Sequence, residues 1–191
     1  VTQFSLFGSE AASPELGDLD GVLLAGGLWA RSPAGARLSV VVADPWRADA
    51  LVAAFGERSV GAADSVVPAE AGYGVRTAFS ADLVAHAARW TRGANQGLPS
   101  AFRLTAGGLR LWAIAAGRRD DVGYLLATAA ADDPIHRAAG AQLSLLGVAA
   151  VSLTQRGGPG WRVTSARRLR RLVELLGPPP PGAEYDWPVR L

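Results

Sequence analysis

The sequence predicts an α+β fold built from two like halves, each running helix, hairpin, helix, hairpin, helix (α-β-β-α-β-β-α). Three recurrences predict it. Ala25-Gly26-Gly27-Leu28 returns as Ala106-Gly107-Gly108-Leu109, and Leu28-Trp29-Ala30 returns as Leu111-Trp112-Ala113. Asp44-Pro45 returns as Asp133-Pro134 at the same place in the order. Shared element order alone is common, but landmarks recurring in register point to duplication.

In the first half, Ser13 is a suitable N-cap, with Pro14 at the first helical position and Glu15 in the first turn. A helix over 14–24 follows, and the Gly26-Gly27 pair ends it. Strands over 28–31 and 37–43 flank Ser32-Pro33-Ala34-Gly35 as a hairpin. Asp44-Pro45 then opens a helix over 45–55, with Trp46, Leu51, Val52 and Phe55 broadly on one side. A second hairpin over 65–69 and 74–79 turns at Glu70-Ala71-Gly72, and Ser80 caps a helix over 81–92.

After a linker the order starts again. A helix is expected over 99–106, stopped by Gly107-Gly108, with strands over 109–115 and 122–128 around Gly117-Arg118-Arg119-Asp120. Helix 134–146 follows, then a hairpin over 148–155 and 161–164 around Gly157-Gly158-Pro159-Gly160, then a helix over 166–176 capped by Ser165. The chain therefore divides into an N-terminal peptide (1–13), a first repeat (14–93), a linker (94–98), a second repeat (99–177) and a proline-rich tail (178–191). Pro178–Pro181 is expected to be a stiff extended spacer.

Composition narrows the function. With 49% apolar and 19% charged residues, the 191-residue chain is globular rather than disordered. No apolar run approaches the roughly 18 to 20 residues that span a bilayer. The first residues lack a basic and apolar leader, so a cytoplasmic protein is expected. Without cysteine and with only His86 and His136, thiolate and imidazole-rich metal sites and thiol nucleophiles are excluded.

All 19 basic residues are arginine. A GC-rich genome accounts for that, as for the abundant alanine, glycine and proline, and arginine also suits phosphate and carboxylate forks. Residues 1–95 hold 7 Arg against 10 acids, or −3, while 96–191 hold 12 Arg against 7 acids, or +5. The second half is thus the better match for an anionic partner.

Near the N-terminus stands Gln3-Phe4-Ser5-Leu6-Phe7, two adjacent apolar anchors behind a glutamine. It resembles the bacterial sliding-clamp-binding pentapeptide Q-x-[SD]-L-F. That resemblance implies a clamp-binding role for Gln3, Ser5, Leu6 and Phe7, with Leu6 and Phe7 filling an apolar pocket. Phe4 stands where that family prefers leucine. The alternative is that these apolar residues tie the N-terminus to the protein's own surface.

The element order, with Leu19, Gly21, Ala25 and Gly27 at the first helix end, resembles the LAGLIDADG homing-endonuclease fold. The string Asp20-Gly21-Val22-Leu23-Leu24-Ala25-Gly26-Gly27 is similar to one in the N-terminal domain of the WhiA sporulation-regulator family. The second copy keeps only Ala106 and Gly108 of the motif. The resemblance implies two motif helices packed at a pseudo-two-fold axis, with two antiparallel sheets forming a saddle for duplex DNA. In the nucleases an acid at each helix end holds a metal over the scissile phosphate. The aligned positions are Gly26 and Gly107, which offer no side-chain ligand. Asp18 and Asp20 lie about two turns back, and Asp120 and Asp121 lie at a hairpin turn where acids are common for backbone reasons. No catalytic residue, metal site or small-molecule cofactor is expected. WhiA proteins carry a further helix-turn-helix domain, and DNA binding through such a module is not expected here.

Nucleic-acid candidates are Arg31, Arg37, Arg76, Arg110, Arg156 and Arg162, on or beside expected strands, and Arg167, Arg168 and Arg171 on the basic side of the last helix. Arg170 lies in the same run. For each the plainer reading is a solvated surface. Gly157-Gly158-Pro159-Gly160 lacks the lysine and helix start of a phosphate loop. Ser152 and His136 form no recognisable triad in sequence.

The expected function is a non-catalytic, LAGLIDADG-like bacterial protein of DNA replication or repair, tethered to the sliding clamp and contacting double-stranded DNA. The alternative is a protein-interaction or regulatory module without DNA binding. No membrane partner is expected.

Overall fold

Two four-stranded antiparallel sheets of the same strand order stand on either side of a central pair of helices. The computed structural model describes residues 13–93, 95–129, 134–154 and 158–189. The first sheet has order β1-β2-β4-β3, from β1 (Leu28–Ser32), β2 (Gly35–Val42), β3 (Val66–Ala69) and β4 (Gly72–Arg76). The second has order β7-β8-β10-β9, from β7 (Gly117–Arg119), β8 (Tyr124–Ala127), β9 (Val151–Leu153) and β10 (Gly160–Val163). The duplicated architecture expected from the sequence is therefore present. A short ribbon of β5 (Thr91–Arg92) and β6 (Asn95–Gln96) occupies the place expected for a helix end and linker.

The first helix enters through a 3-10 turn at Leu16–Leu19 and becomes α1 at Asp20–Leu24. The cap is Glu15 rather than Ser13, and the Glu15 amide donates to the Asp18 carboxylate at 3.1 Å. At the other end Gly26 takes φ +96°, and the Gly26 and Gly27 amides donate to Leu23 and Val22 carbonyls at 3.1 and 2.9 Å. This is a Schellman turn, and it explains why the pair ends the helix.

The second glycine pair does something else. Helix α4 runs Ala106–Ala116, beginning where the sequence reading ended a helix and covering the segment read as a strand. Thr105 starts it by accepting the Gly108 amide at 2.9 Å. Leu109, Leu111, Trp112, Ala113, Ile114 and Ala115 are all buried. A short apolar run buried on every side has no period to separate helix from strand, and the expected strand came from that ambiguity.

Gly107 and Gly108 instead let α4 approach α1. A Cβ on Gly21 of α1 would lie 1.8 Å from the Gly108 carbonyl oxygen. A Cβ on Gly107 would lie 2.5 Å from the Asp18 carboxylate carbon. At Gly21 the approach is to backbone, a closeness only glycine permits, and at Gly107 the neighbour is a side chain.

The outer helices follow the sequence more closely. Helix α2 spans Pro45–Glu57 behind Asp44, with Pro45 at its first position, and α3 spans Val84–Arg89 after a 3-10 turn capped by the Ser80 side chain. Helix α5 spans Pro134–Leu145 and α6 spans Ala166–Leu176, the latter as expected. One core joins α1, α4, both sheets' inner faces and α6, from Leu19 and Leu38 through Trp112 and Leu126 to Leu172. Residues 178–189 do not leave the body as a spacer. Trp187 is buried against the core, and its Nε1 donates to the Gly177 carbonyl at 3.0 Å.

A buried guanidinium ties the halves together. Arg47 of α2 donates Nη1 to the Ile114 carbonyl at 2.9 Å and Nη2 to Gly117 at 2.7 Å, at the C-terminus of α4. Its Nε pairs with Asp44 at 2.7 Å. A cation at a helix C-terminus satisfies orphan carbonyls and opposes the macrodipole.

Two substitutions test this packing in opposite directions. Gly21→Ala forces a methyl into the α4 backbone and should cost about 3 kcal/mol or more in urea-unfolding stability. Ser59, the non-glycine residue with positive φ (59°), closes α2 in a Schellman turn through Ser59–Gly56 and Val60–Phe55 backbone bonds. Ser59→Gly should therefore stabilise by about 0.5–1 kcal/mol, read as a higher melting temperature.

Candidate nucleic-acid interface

Strand alternation decides which side chains leave each sheet away from the core. In β2, Ala36, Leu38, Val40 and Val42 are buried, so Arg37, Ser39 and Val41 point outward. The register aligns Leu28, Ser39 and Arg76 in one outward row and Val67, Gly74 and Val41 in the next. A groove of about 310 Å³ runs over these rows beside Gly26. Its character is mixed. Leu28 is 63% exposed and Val41 55%, so much of this face is apolar.

Arg37 lies over the Phe79 ring at 4.5 Å and, among the described residues, makes no ion pair. Arg76 pairs with the exposed Asp64, which reduces its value to a phosphate. In the second sheet the outward row is Arg118, Leu125, Arg162 and Val151 across its four strands. Arg162 pairs with Asp120 at 2.6 Å. Arg118 is the outward arginine that sequence reasoning missed, because it read β7 as a turn; correct alternation along Gly117–Arg119 would have found it.

Other candidates lie elsewhere. Arg31 shares its register position with buried Ala36, so it sits on the inner side of an edge strand and donates to Thr91 Oγ1 at 3.0 Å. Arg110 is on helix α4, not a strand, and donates to the Leu176 and Pro178 carbonyls beyond the end of α6. Arg171 is half-buried, donating Nε to the Leu146 carbonyl at 3.3 Å. Arg167 and Arg168 are exposed on α6. Gln3, Ser5, Leu6, Phe7 and Arg156 lie outside the described residues.

The helix ends also need correction. Gly107 lies in the first turn of α4, so it does not end the second motif helix, whose last residue is Ala116, just before Gly117. Ala116 too has no ligating side chain. The neighbouring acids are engaged. Asp18 pairs with Arg58 at 2.6 Å and accepts from Thr105 Oγ1 at 2.6 Å. Asp20, 2% exposed, accepts from Trp90 Nε1 and contacts His86 Nε2, each at 2.7 Å. Both stand at the start of the α1 segment, away from its glycine end. Among the described residues no cluster of three or more acidic, histidine or cysteine side chains could hold a metal ion.

Beside Gly26, a cavity of about 160 Å³ between the halves is lined by Leu24, Gln96, Thr128, Ile135 and His136. The hairpin brings His136 to Ser152 Oγ at 2.9 Å through Nε2, and to Thr128 Oγ1 at 2.9 Å through Nδ1. Sequence reasoning did not foresee this meeting. His136 also stacks on Trp161 at 4.8 Å, and the contacts satisfy an imidazole only 2% exposed.

No family model matches the chain, and no curated protein matches it. Among solved structures it is similar to the homing endonuclease I-WcaI bound to its DNA recognition sequence. The likeness has a TM-score of 0.60 at 9% identity and covers 92% of this chain and 89% of that one. The fold is LAGLIDADG-like. At this identity the likeness establishes architecture. Among the described residues no helix is long and apolar enough to cross a membrane.

Asp120 makes the second sheet's hairpin pH-sensitive. Burial raises its pKa, but the Val122 and Gly123 amides and the Arg162 guanidinium outweigh that and hold it below 3.8. A carboxyl depressed on folding stabilises the protein above its unfolded pKa, and that contribution is lost as pH falls through the folded value. Asp120→Asn should therefore lower stability at neutral pH and flatten the acid limb below about pH 4, read from melting temperatures across pH.

Proposed function

We propose that this chain is a DNA-associated protein that does not cut DNA and is held at the replication sliding clamp by Gln3, Ser5, Leu6 and Phe7. The observation that carries the non-cutting part is at the motif helix ends. Gly26 and Ala116, at the ends of the two motif helices, carry no ligating side chain, and Asp18 and Asp20 are committed to Arg58, Thr105, His86 and Trp90. Phosphodiester cleavage needs a charge clamp on the phosphate oxygens, and neither helix end supplies a ligand for one.

The DNA part is supported by the fold shared with an endonuclease solved on its recognition sequence and by the outward Arg37 and Arg118. Weak, salt-dependent backbone contact suits such sparse cations. Tethering raises local concentration, so a low intrinsic affinity is enough. The narrower likeness to the WhiA N-terminal domain, carried by Asp20–Gly27, belongs to the same reading.

A second reading has its own observation. Leu28, Val41 and Val151, at 63%, 55% and 55% exposure, make the outer sheet faces more apolar than a phosphate-contacting surface requires, and they favour a protein partner there.

The test uses the full chain. It should bind purified bacterial clamp, lose that binding with Leu6→Ala/Phe7→Ala, and leave plasmid DNA intact with magnesium or manganese. It should retard duplex DNA at low salt. Clamp binding unaffected by the double substitution would remove the tether, and nicking abolished by Asp20→Asn would remove the non-cutting claim. No retardation at any salt would put the protein-partner reading in front.

A further inference from the structure

Arginines with an internal use are easy to find in this protein, and three on α6 have none in view. Arg47, Arg58, Arg76, Arg110, Arg162 and Arg171 each bond a carbonyl or carboxylate. Arg167, Arg168 and Arg170 are exposed, and among the described residues none of them forms an ion pair. Two of them stand in the first turn, where the helix dipole disfavours cations, and the Ser165 side chain makes no cap bond. Helix stability therefore does not explain the cluster. Nor does the fold require it, since α3, the last helix of the first half, exposes Val84, Ala85 and Ala88 beside a single arginine, Arg89.

Direction matters as much as charge. Leu169, Leu172, Leu175 and Leu176 bury the other side of α6 in the core shared with the sheets' inner faces, and α6 packs against α4. Its arginines thus leave the molecule on the helical side, while Arg37, Arg118 and Arg162 leave from the outer sheet faces. Three unpaired guanidinium groups over about one turn form a surface for closely spaced phosphates.

We infer that α6 is a second phosphate-backbone-binding surface, facing away from the sheets, so that one protein molecule bridges two duplex segments. The inference rests on the DNA association proposed above. Contact of this kind is sequence-independent and sensitive to salt.

A bridging capture tests it. Full-length protein is mixed at low salt with a biotinylated duplex and a fluorescent duplex of unrelated sequence, and fluorescence retained on streptavidin is read beside ordinary retardation of one duplex. The wild type should retain the fluorescent duplex. Arg167→Gln/Arg168→Gln/Arg170→Gln, with an unchanged melting temperature, should lower retention by about tenfold while shifting single-duplex affinity far less. Single-duplex retardation without capture, or capture unchanged in the triple variant, would overturn the inference and leave the DNA association standing. Loss of both signals in the variant would place the DNA contact on α6 alone and also overturn bridging. No retardation by the wild type would sink the DNA association itself and this inference with it.

Discussion

The fold depends on one contact, the approach of α1 to α4 at Gly21, Gly107 and Gly108. With a Cβ on Gly21 landing 1.8 Å from a backbone oxygen, the two helices meet main chain to main chain. Neither helix can retreat without opening the core, because α4 is buried on nearly every side and α1 is buried throughout. The sheets are then placed by what leaves these helices. Strand β1 follows the Schellman turn at Gly26-Gly27, and β7 begins at Gly117 directly after α4. A shift at the helix crossing would therefore move both sheets and the saddle between them.

Arginine finishes what glycine begins. Arg47 seals the C-terminus of α4 from the first half, and Arg110, near the start of α4, reaches the end of α6. Each replaces water at orphan helix carbonyls with a fixed cation. Tyr124 sits beside the first of these seals; burial, the larger influence, pushes its phenol upward while Arg47 pulls it down, so it stays protonated. Counting arginines consequently overstates the charge available to a partner. Of the nine nucleic-acid candidates, Arg31, Arg110 and Arg171 serve the fold, and Arg76 and Arg162 are paired with acids.

Much of the architecture was legible in the sequence because its signals are local. Asp44-Pro45 opening α2, the positive-φ glycine closing α1, the alternation of β2 and the amphipathic α6 all express rules that operate within a few residues. The register of the duplication was not legible in the same way. Ala25-Gly26-Gly27 and Ala106-Gly107-Gly108 are the same tripeptide in opposite roles, one ending a helix and one beginning it. Only Thr105 distinguished the second, and a lone threonine is a weak start signal. Helix α4 ends instead at Ala116-Gly117, after an apolar run with no period. At the candidate interface the alternation of β2 was readable and puts Arg37 on the outward side, whereas Arg31 on β1 takes the opposite parity and β7, read as a turn, hid Arg118.

The structure moves the end of the second motif helix from Gly107 to Ala116. Neither Gly26 nor Ala116 carries a side-chain donor, and among the described residues the cavity next to Gly26 is lined by Leu24, Gln96, Thr128, Ile135 and His136. The two nearby carboxylates are spent on structure: Asp18 holds Arg58 and the start of α4 through Thr105, and Asp20 anchors Trp90 and His86. Both of these carboxylates thus fix the helix pair within the fold. What the fold leaves exposed, among the described residues, includes Leu28 and Val41 on one outer sheet face, Val151 on the other, and the basic side of α6.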